Sequence, residues 1–322
     1  MISARLSRAV LLGLSLLIAT TLSGTTRAFE PSLLDSVVSV LPLWPGYGQS
    51  SGARSPHSQE PEGSAVAVAP GGLLATAWHI VDRAVEITVR LPDGRLQSAK
   101  LVGQDPATDL ALLKIEAPLP PLPWAPEPSL GAPVCTVGNQ FGLGLSVTCG
   151  VVSAVRRTDV GFNPIEDFIQ TDATVNPGAS GGALVDAEGR LVGLLSAIFT
   201  KQSDADIGIN FAASAALVRR VTEDLAAQGR VSRPKAGLQL ADLPREARFQ
   251  DTGAQVFALE PGGPAERAGL RQGDLIVSLA GRPIQTARDA QAAIALQRPG
   301  TEVAVVLRRD GQALSLEFRL EN

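Results

Sequence analysis

The chain of 322 residues has little of what several common protein functions require. Only 4% of its residues are aromatic, so the core must be built from Val, Leu, Ile and Ala. The formal net charge is -4, whereas proteins that bind nucleic acid over a broad surface are typically basic. No phosphate-binding loop of the Walker type occurs, so the sequence indicates no dependence on ATP. It also predicts no cofactor and no metal site, because the two cysteines lack the spacing of a zinc site.

The N-terminus lacks an apolar run long enough for a transmembrane helix of about 20 residues. Two arginines precede the apolar stretch Ala9–Ala19, and small and polar residues follow it. We interpret residues 1–28 as a secretory signal that is cleaved near Ala28. An uncleaved membrane anchor is the alternative, because small residues extend the stretch to Gly24. Either interpretation places the folded part outside the cytoplasm, as a secreted or periplasmic protein, with a possible membrane tether in the second case.

Helical patterns are scarce over the next two hundred residues, where short strands alternate with turns. A first predicted strand, Val37–Leu43, is followed by a flexible Pro, Gly and Ser-rich segment that reaches residue 62. Many short strands follow, which is typical of a β-barrel or sandwich. The proline-rich connector PLPPLPWAPEP suggests two similar barrels. The first convincing helix is Ser214–Gln228, with a serine cap and a glycine after its end.

The last part of the chain, from about Ala236 to Leu320, mixes strands with two helices. A short helix is predicted over PAERAGL and an Ala-rich one over Thr286–Gln297, and Asp310-Gly311 marks a hairpin. This pattern predicts a compact α+β module. The predicted organisation is a leader at 1–28, a strand and flexible loop at 29–62, a barrel domain at 63–232 that includes 33–43, and a module at 233–322.

The chain is organised around Gly178-Ala179-Ser180-Gly181-Gly182, a serine within a tight glycine turn. Glycines allow backbone conformations that other residues avoid and let the backbone approach a substrate closely. Such a turn exposes the hydroxyl of Ser180 and can point backbone N–H groups at a developing oxyanion. We expect those donors to be the amides of Gly178 and Ser180.

A nucleophilic serine needs a base, and His79 is the only histidine outside the flexible segment. The sequence places it at the end of an apolar strand, in TAWHIVD. Asp109 borders another apolar strand, where an unpaired acid would be costly, and we expect it to orient the imidazole. Asp105 competes for this role, but it precedes a proline in a turn. The order His79, Asp109, Ser180 is that of the chymotrypsin architecture.

In that architecture the residue six before the nucleophile lies at the base of the main specificity pocket. Here it is Thr174, which has no charge to meet Arg or Lys. The apolar strand Leu191–Phe199, with Leu195 and Ala197, would form one wall. We therefore expect loose selectivity for a small or medium aliphatic residue before the cleaved bond.

Cys135 and Cys149 lie in two strand-like runs that flank a glycine-rich stretch. A hairpin could bring them together, and a bridge would be stable in an oxidising compartment. Two buried free thiols are the equal alternative, because the register of the strands is not readable from the sequence.

Several blocks together resemble the high-temperature-requirement (HtrA/Deg) family of serine peptidases. TAWHIVD, DPATDLALLKIE, VGNQFGLGLSVTCGVVSAV, QTDATVNPGASGGALVD and IGINFA match its blocks in order. The run EPGGPAERAGLRQGDLIVSLAGRPI is similar to its PDZ domain. The resemblance implies a mainly β fold, a chymotrypsin-like double β-barrel protease domain followed by a small α+β PDZ domain.

The resemblance also implies a function. Family members are ATP-independent endopeptidases that act on unfolded or damaged envelope proteins, form homotrimers, and read peptide C-termini with their PDZ domains. By position, the carboxylate-binding loop would be Gly237, Leu238, Gln239 and Leu240, which a peptide would join as an added strand. The helix from Thr286 would flank that groove.

This chain departs from the family pattern around the nucleophile and the histidine. Ala179 replaces the usual Asn before the nucleophile, and Ala183 replaces a usual Pro. Ala65 replaces a Gly, and Trp78 is unexpected before the histidine, where it could narrow the cleft. Two alternatives to a quality-control peptidase therefore stay open. One is a holdase with weak peptidase activity, and the other is a signalling peptidase switched on by peptide binding at the PDZ domain.

Overall fold

The computed structural model describes residues 30–45, 62–198 and 208–322, without the side chains of residues 197 and 198. The predicted leader and the part of the flexible segment that holds His57 lie outside these residues. Among the residues described, no helix is long and apolar enough to cross a bilayer. Strands and turns dominate, which confirms the mainly β fold class.

Six antiparallel strands close the first barrel in the order β1-β2-β3-β6-β5-β4. The first of them is the strand predicted over Val37–Leu43. Their bounds are β1 Val37–Leu43, β2 Gly63–Ala69, β3 Leu73–Ala77, β4 Glu86–Arg90, β5 Leu96–Asp105 and β6 Leu110–Lys114.

The sequence suggested that His79 lies at the end of a strand, but in the structure it lies two residues beyond the strand end. Strand β3 ends at Ala77, which pairs with Leu110, the first residue of β6. The chain beyond this last pair turns into a one-turn helix, α1, at Trp78–Val81. His79 therefore projects from the rim of the barrel rather than from its wall.

The second barrel repeats the first. Its cyclic order, β10-β11-β12-β9-β8-β7, follows the same path when it is started from β7. This confirms the prediction of two similar barrels. The strands are β7 Pro133–Gly138, β8 Ser146–Arg157, β9 Phe168–Thr171, β10 Ala183–Asp186, β11 Leu191–Ile198 and β12 Asn210–Ser214.

The interiors are aliphatic, as the scarcity of aromatic residues requires. The first barrel buries Val38, Val40, Leu74, Val89 and Leu113. The second buries Val134, Ile169, Leu184, Val192 and Leu195. Alternate residues face inward along half-buried strands, as the pattern of Glu86–Arg90 shows. Each barrel therefore has a core of its own, and the space between them is a separate seam.

Helix α2, Ala215–Gln228, packs against this seam and matches the predicted helix. The Ser214 hydroxyl accepts a hydrogen bond from the N–H of Leu217, and Gly229 ends the helix at a φ of 71°. The apolar residues of this helix, Leu217, Val221 and Leu225, are buried together with side chains of both barrels. The cluster includes Val37, Val66, Leu112, Val137, Leu194, Leu217, Val221 and Leu225.

The C-terminal module is a sheet in the order β13-β14-β15-β17-β18, with β16 paired to β15. Its strands are β13 Leu238–Asp242, β14 Ala254–Leu259, β15 Leu275–Leu279, β16 Arg282–Pro283, β17 Glu302–Arg309 and β18 Gln312–Arg319. Its helices are α3 Pro264–Arg267 and α4 Ala287–Ala295. A capping box of Thr286 and Asp289 starts α4. The boundary at residues 232 and 233 stays a prediction.

Candidate active site

The ends of β3 and β6 bring His79 and Asp109 together. The carbonyl of Asp109 accepts the N–H of Trp78 at 3.0 Å, and its Oδ1 accepts the N–H of His79 at 2.9 Å. The imidazole Nδ1 then lies 2.7 Å from Oδ2. Asp109 has a φ of 57°, a left-handed conformation that aspartate tolerates better than most residues. The carboxylate is therefore hydrogen-bonded to both the backbone and the ring of His79.

The carboxylate of Asp109 is buried and is hydrogen-bonded by groups from both barrels. The residue is 7% exposed, and the Ser196 hydroxyl, from the second barrel, also donates to Oδ2 at 3.2 Å. With Nδ1 donating to the carboxylate, Nε2 of His79 is left to accept a proton. The imidazole side of this pair is half exposed, so it can reach a bound substrate.

The competing acid, Asp105, has other partners. Its Oδ2 accepts the hydroxyl of Thr108 at 2.6 Å and also forms an ion pair with Arg233. These contacts tie the end of β5 to the chain that follows α2. The contacts of Asp105 therefore stabilise the fold, whereas Asp109 contacts the imidazole.

Residues 178–182 form the turn around Ser180, which we call the nucleophile turn after its predicted role. Its glycines are required by close packing. Gly178 and Gly181 have φ values of 94° and 81°. A Cβ on Gly178 would overlap the carbonyl oxygen of Asn139, and one on Gly181 would overlap that of Ser64. Any side chain at either position would therefore push the turn out of place.

The turn leaves two amides available. The Pro177 carbonyl accepts the N–H of Phe141 at 2.6 Å, and the Ala179 carbonyl accepts the N–H of Gly182 at 2.8 Å. Because N–H and C=O point in opposite directions across a trans peptide, these bonds set the direction of the next N–H. The amides of Gly178 and Ser180 are those next groups. Within the described residues they donate to no protein acceptor.

The nucleophile turn lies against the strand end that precedes His79. The Ser64 N–H donates to the Ser180 carbonyl at 2.8 Å, and Gly181 packs against Thr76 and Ala77. No hydrogen bond joins the imidazole to the Ser180 hydroxyl in the described part of the chain. Such bonds often tighten only when a substrate is bound. The seam thus brings the three side-chain positions to one region.

The proposed pocket residues Thr174, Leu195 and Ala197 differ in where their side chains lie. Thr174 is half buried, and its carbonyl accepts the hydroxyls of Thr136 at 3.2 Å and Thr148 at 2.5 Å. The side chain of Leu195 is fully buried in the second-barrel core, so only its backbone reaches the nucleophile turn. The side chain of Ala197 lies outside the described residues.

Cys135 and Cys149 are directly paired across β7 and β8 and form a disulfide. Their Cα atoms are 4.0 Å apart. Among the described residues no cysteine is free. Of the two alternatives left by the sequence, the structure has the bridge.

The C-terminal module has a groove of about 500 Å³ between β13 and α4. Strand β13 is the edge of the sheet, so a peptide could pair with its free side. Leu238 and Leu240 line the groove, Gln239 is exposed, and the Gly237 carbonyl accepts the N–H of Glu260 at 2.9 Å. The remaining lining residues are Asp159, Asp242, Ala287, Arg288, Gln291 and Ile294.

Sequence reasoning missed Asp159, which belongs to the loop between β8 and β9 of the second barrel. This loop meets α4 through several polar contacts. The Thr158 hydroxyl donates to Asp289 at 2.6 Å, and Arg288 donates to the Pro164 carbonyl at 3.1 Å. No local pattern signals these contacts, because their partners are about 130 residues apart.

A second polar contact joins α2 to the C-terminal module. Arg298 lies 2.7 Å from Glu223 and 3.3 Å from Asp224. Burial raises the pKa of Asp224, but the Ser232 N–H and the Arg220 side chain outweigh it, so that pKa is lowered. Burial likewise opposes ionisation of Glu223, and hydrogen bonds from Arg219 and Arg298 lower its pKa overall.

This fold and site define a trypsin-like peptidase domain joined to a PDZ domain. A family model described as a trypsin-like peptidase domain matches residues 63–194, and a PDZ model matches residues 256–309. The serine endoprotease DegS of Escherichia coli is 37% identical over 272 residues, which cover 80% of this chain and 76% of DegS. The chain therefore belongs to the HtrA/Deg family of serine endoproteases.

Other comparisons agree. The periplasmic serine endoprotease DegP of Escherichia coli is 37% identical over 269 residues, 80% of this chain and 56% of DegP. The chain spans about half the length of several curated relatives that it matches. A solved structure of the HtrA-type protease AlgW with a decapeptide covers 89% of this chain and 95% of its own, at 35% identity and a TM-score of 0.65.

Proposed function

We propose that this protein is a serine endopeptidase in which Ser180 is the nucleophile, His79 the general base and Asp109 the residue that orients the base. The observation that supports this best is the contact of 2.7 Å between the imidazole Nδ1 and the buried carboxylate. With Nδ1 bonded to the carboxylate, Nε2 is left to act as the base. Burial of the acid makes an incidental surface ion pair a poor explanation of this contact.

The reaction follows from these positions. The Ser180 oxygen attacks the carbonyl carbon of the scissile peptide as its proton passes to Nε2 of His79. Asp109 stabilises the resulting imidazolium, and the amides of Gly178 and Ser180 bind the oxyanion. The imidazolium then protonates the leaving amine, and a water molecule hydrolyses the acyl-enzyme with His79 again as base.

We further propose unfolded or damaged proteins as substrates, in a periplasmic or secreted location. Relatives at 37% identity are named periplasmic serine endoproteases. Thr174, which we propose for the base of the specificity pocket, carries no charge. We therefore expect cleavage after small or medium aliphatic residues rather than after Arg or Lys. Homotrimer formation and a membrane tether remain proposals that the family resemblance implies.

The groove of the PDZ domain is proposed to bind peptide C-termini. Its edge strand offers backbone groups for pairing, and Leu238, Leu240 and Ile294 offer apolar contact. Structures of AlgW with a decapeptide and with a tripeptide have been solved. Peptide binding at this groove is common to the constitutive peptidase, the gated peptidase and the holdase.

One observation favours a gated peptidase over a constitutive one. Asp159 of the second barrel lines the peptide groove, and its loop is bonded to α4. A bound peptide would therefore touch both domains. Addition of peptides with apolar C-termini should then accelerate cleavage, whereas unchanged rates would favour constitutive quality control.

The peptidase proposal is tested with a fluorophosphonate probe on the full purified chain. We expect labelling at Ser180, complete loss of labelling in Ser180→Ala, and loss of casein cleavage in that variant with an unchanged unfolding midpoint. Folded wild-type protein that neither reacts with the probe nor cleaves casein would overturn the proposal. Peptide binding retained in such a protein would instead support the holdase alternative.

A further inference from the structure

A buried serine of the first barrel contacts the nucleophile turn of the second. Ser64 is the second residue of β2 and is fully buried. Its hydroxyl donates to the Gly178 carbonyl at 2.8 Å and accepts the N–H of Asn139 at 2.8 Å. The absence of a side chain at Gly138 leaves room for this approach, since a Cβ there would lie 3.1 Å from the hydroxyl.

The backbone of Ser64 makes two more hydrogen bonds. Its N–H donates to the Ser180 carbonyl at 2.8 Å, and its carbonyl accepts the Thr76 hydroxyl at 2.7 Å. Thr76 lies in β3, three residues before His79. One residue therefore connects the strand that leads to the proposed base with the turn that holds the proposed nucleophile.

These bonds complete a pattern along the turn. The carbonyls of Pro177, Gly178, Ala179 and Ser180 each accept a hydrogen bond, so four consecutive peptide planes are fixed. The donors are the N–H of Phe141, the hydroxyl of Ser64, the N–H of Gly182 and the N–H of Ser64. The Ser64 hydroxyl is the single side-chain donor in this set. It is thus the one contact of the four that a substitution removes without altering the backbone.

The fixed planes determine where the two available amides point. The peptide between Gly178 and Ala179 lies between the units that bear the Gly178 and Ser180 amides. Without the hydrogen bond that fixes it, ψ of Gly178 and φ of Ala179 are free to change, and these dihedrals connect it to the two planes that bear the donors. Oxyanion stabilisation depends on donors within about 2.7–3.1 Å of the developing charge, so a small rotation is costly.

We propose that Ser64 is a positioning residue that orients the oxyanion donors of the second barrel from the first. This inference rests on the proposed peptidase function. Ser64 touches neither the imidazole nor Asp109 through any hydrogen bond in the described chain. Its effect should therefore fall on transition-state stabilisation rather than on proton transfer or on substrate binding.

The test compares Ser64→Ala with Ser39→Ala in the full-length protein. Ser39 is the buried serine paired with Ser64 across β1 and β2, and it makes no hydrogen bond to the nucleophile turn within the described residues. For Ser64→Ala we expect kcat on a peptide substrate to fall by about tenfold to hundredfold, with KM changed less than about twofold. Ser39→Ala should keep the wild-type kcat.

Two further measurements separate positioning from a general structural defect. Affinity for a peptide boronate, which places an anionic oxygen among these donors, should fall by the same factor as kcat. The acidic limb of the pH profile of kcat/KM should not move, because the imidazole and its acid are unchanged. If Ser64→Ala does not fold, Ser64→Cys replaces it in the test, because a thiol keeps most of the volume but donates weakly. The kcat of Ser64→Cys should lie between the wild-type value and the value expected for Ser64→Ala.

Failure of this inference is distinct from failure of the proposed function. An active wild type with Ser64→Ala and Ser39→Ala equal in kcat and in boronate affinity would overturn the role of Ser64 alone. A shifted acidic limb in Ser64→Ala would also overturn it, because the effect would then reach the base. A wild type without probe labelling would instead overturn the peptidase proposal.

Discussion

The two barrels share one strand order but hold their parts of the candidate site by different means. In the first barrel, side chains make the key contact, between the His79 imidazole and the Asp109 carboxylate. In the second, backbone hydrogen bonds and missing side chains shape the turn around Ser180. The first half should therefore be sensitive to the loss of a functional group, and the second to the addition of even one methyl group.

The largest expected effect comes from Asp109→Asn. An amide in place of the carboxylate can donate to Nδ1 and would then favour the wrong tautomer of His79, so kcat should fall by about 10⁴-fold. Steady-state kinetics with a peptide substrate measures this. Asp105→Asn is the matched control, since that acid bonds Thr108 and Arg233 instead, and it should lower stability while kcat stays near that of the wild type. Equal losses in both variants would argue against the assignment of Asp109.

Gly178→Ala should disrupt the turn around Ser180 in the second barrel by adding one methyl group. The residue has a φ of 94°, and the new Cβ would overlap the Asn139 carbonyl, so the amide that we propose as an oxyanion donor must move. A loss of about 10²–10³ in kcat is expected. Gly94→Ala provides the control, because Gly94 has a φ of 87° but nothing within 4 Å of its Cβ position. Retained activity in Gly178→Ala would show that the turn tolerates movement.

The disulfide should affect stability more than catalysis. Its removal in a Cys135→Ala, Cys149→Ala double variant opens a loop with a sequence separation of 14 residues. The free energy of unfolding should fall by about 3 kcal/mol, measured by denaturant titration. Wild-type protein in reductant should match the variant. A kcat outside about twofold of the wild-type value would instead connect the bridge to the site.

The smallest effect concerns the contact between α2 and the C-terminal module. Glu223 and Asp224 have lowered pKa values in the folded state, so their ionised forms stabilise the fold at neutral pH, and this contribution is lost as pH falls through those lowered values. Arg298→Ala should cost less than about 1 kcal/mol at neutral pH, because the pair with Glu223 is partly exposed. The difference between variant and wild type should vanish in acid. A difference that grows in acid would contradict this sign.

The many short strands, the proline-rich connector and the family resemblance predicted the double barrel. The chain order of His79, Asp109 and Ser180, with the glycine pattern, led to the proposed triad. Local sequence carries such features because strands, caps and turns depend on near neighbours. The sequence did not predict the contacts of Ser64, Ser196 and Asp159, because their partners are far away along the chain. The buried orientation of Leu195 and the pairing of Cys135 with Cys149 depend on strand register, which sequence alone leaves undetermined.

The central claim is that a base from the first barrel activates a nucleophile from the second. The most direct measurement is the rate at which a fluorophosphonate labels Ser180 in wild type and in His79→Ala, with unfolding midpoints recorded for both. We expect a loss of about 10²–10⁴ in the labelling rate with the fold retained. Labelling of Ser180 at the wild-type rate in folded His79→Ala would contradict the account.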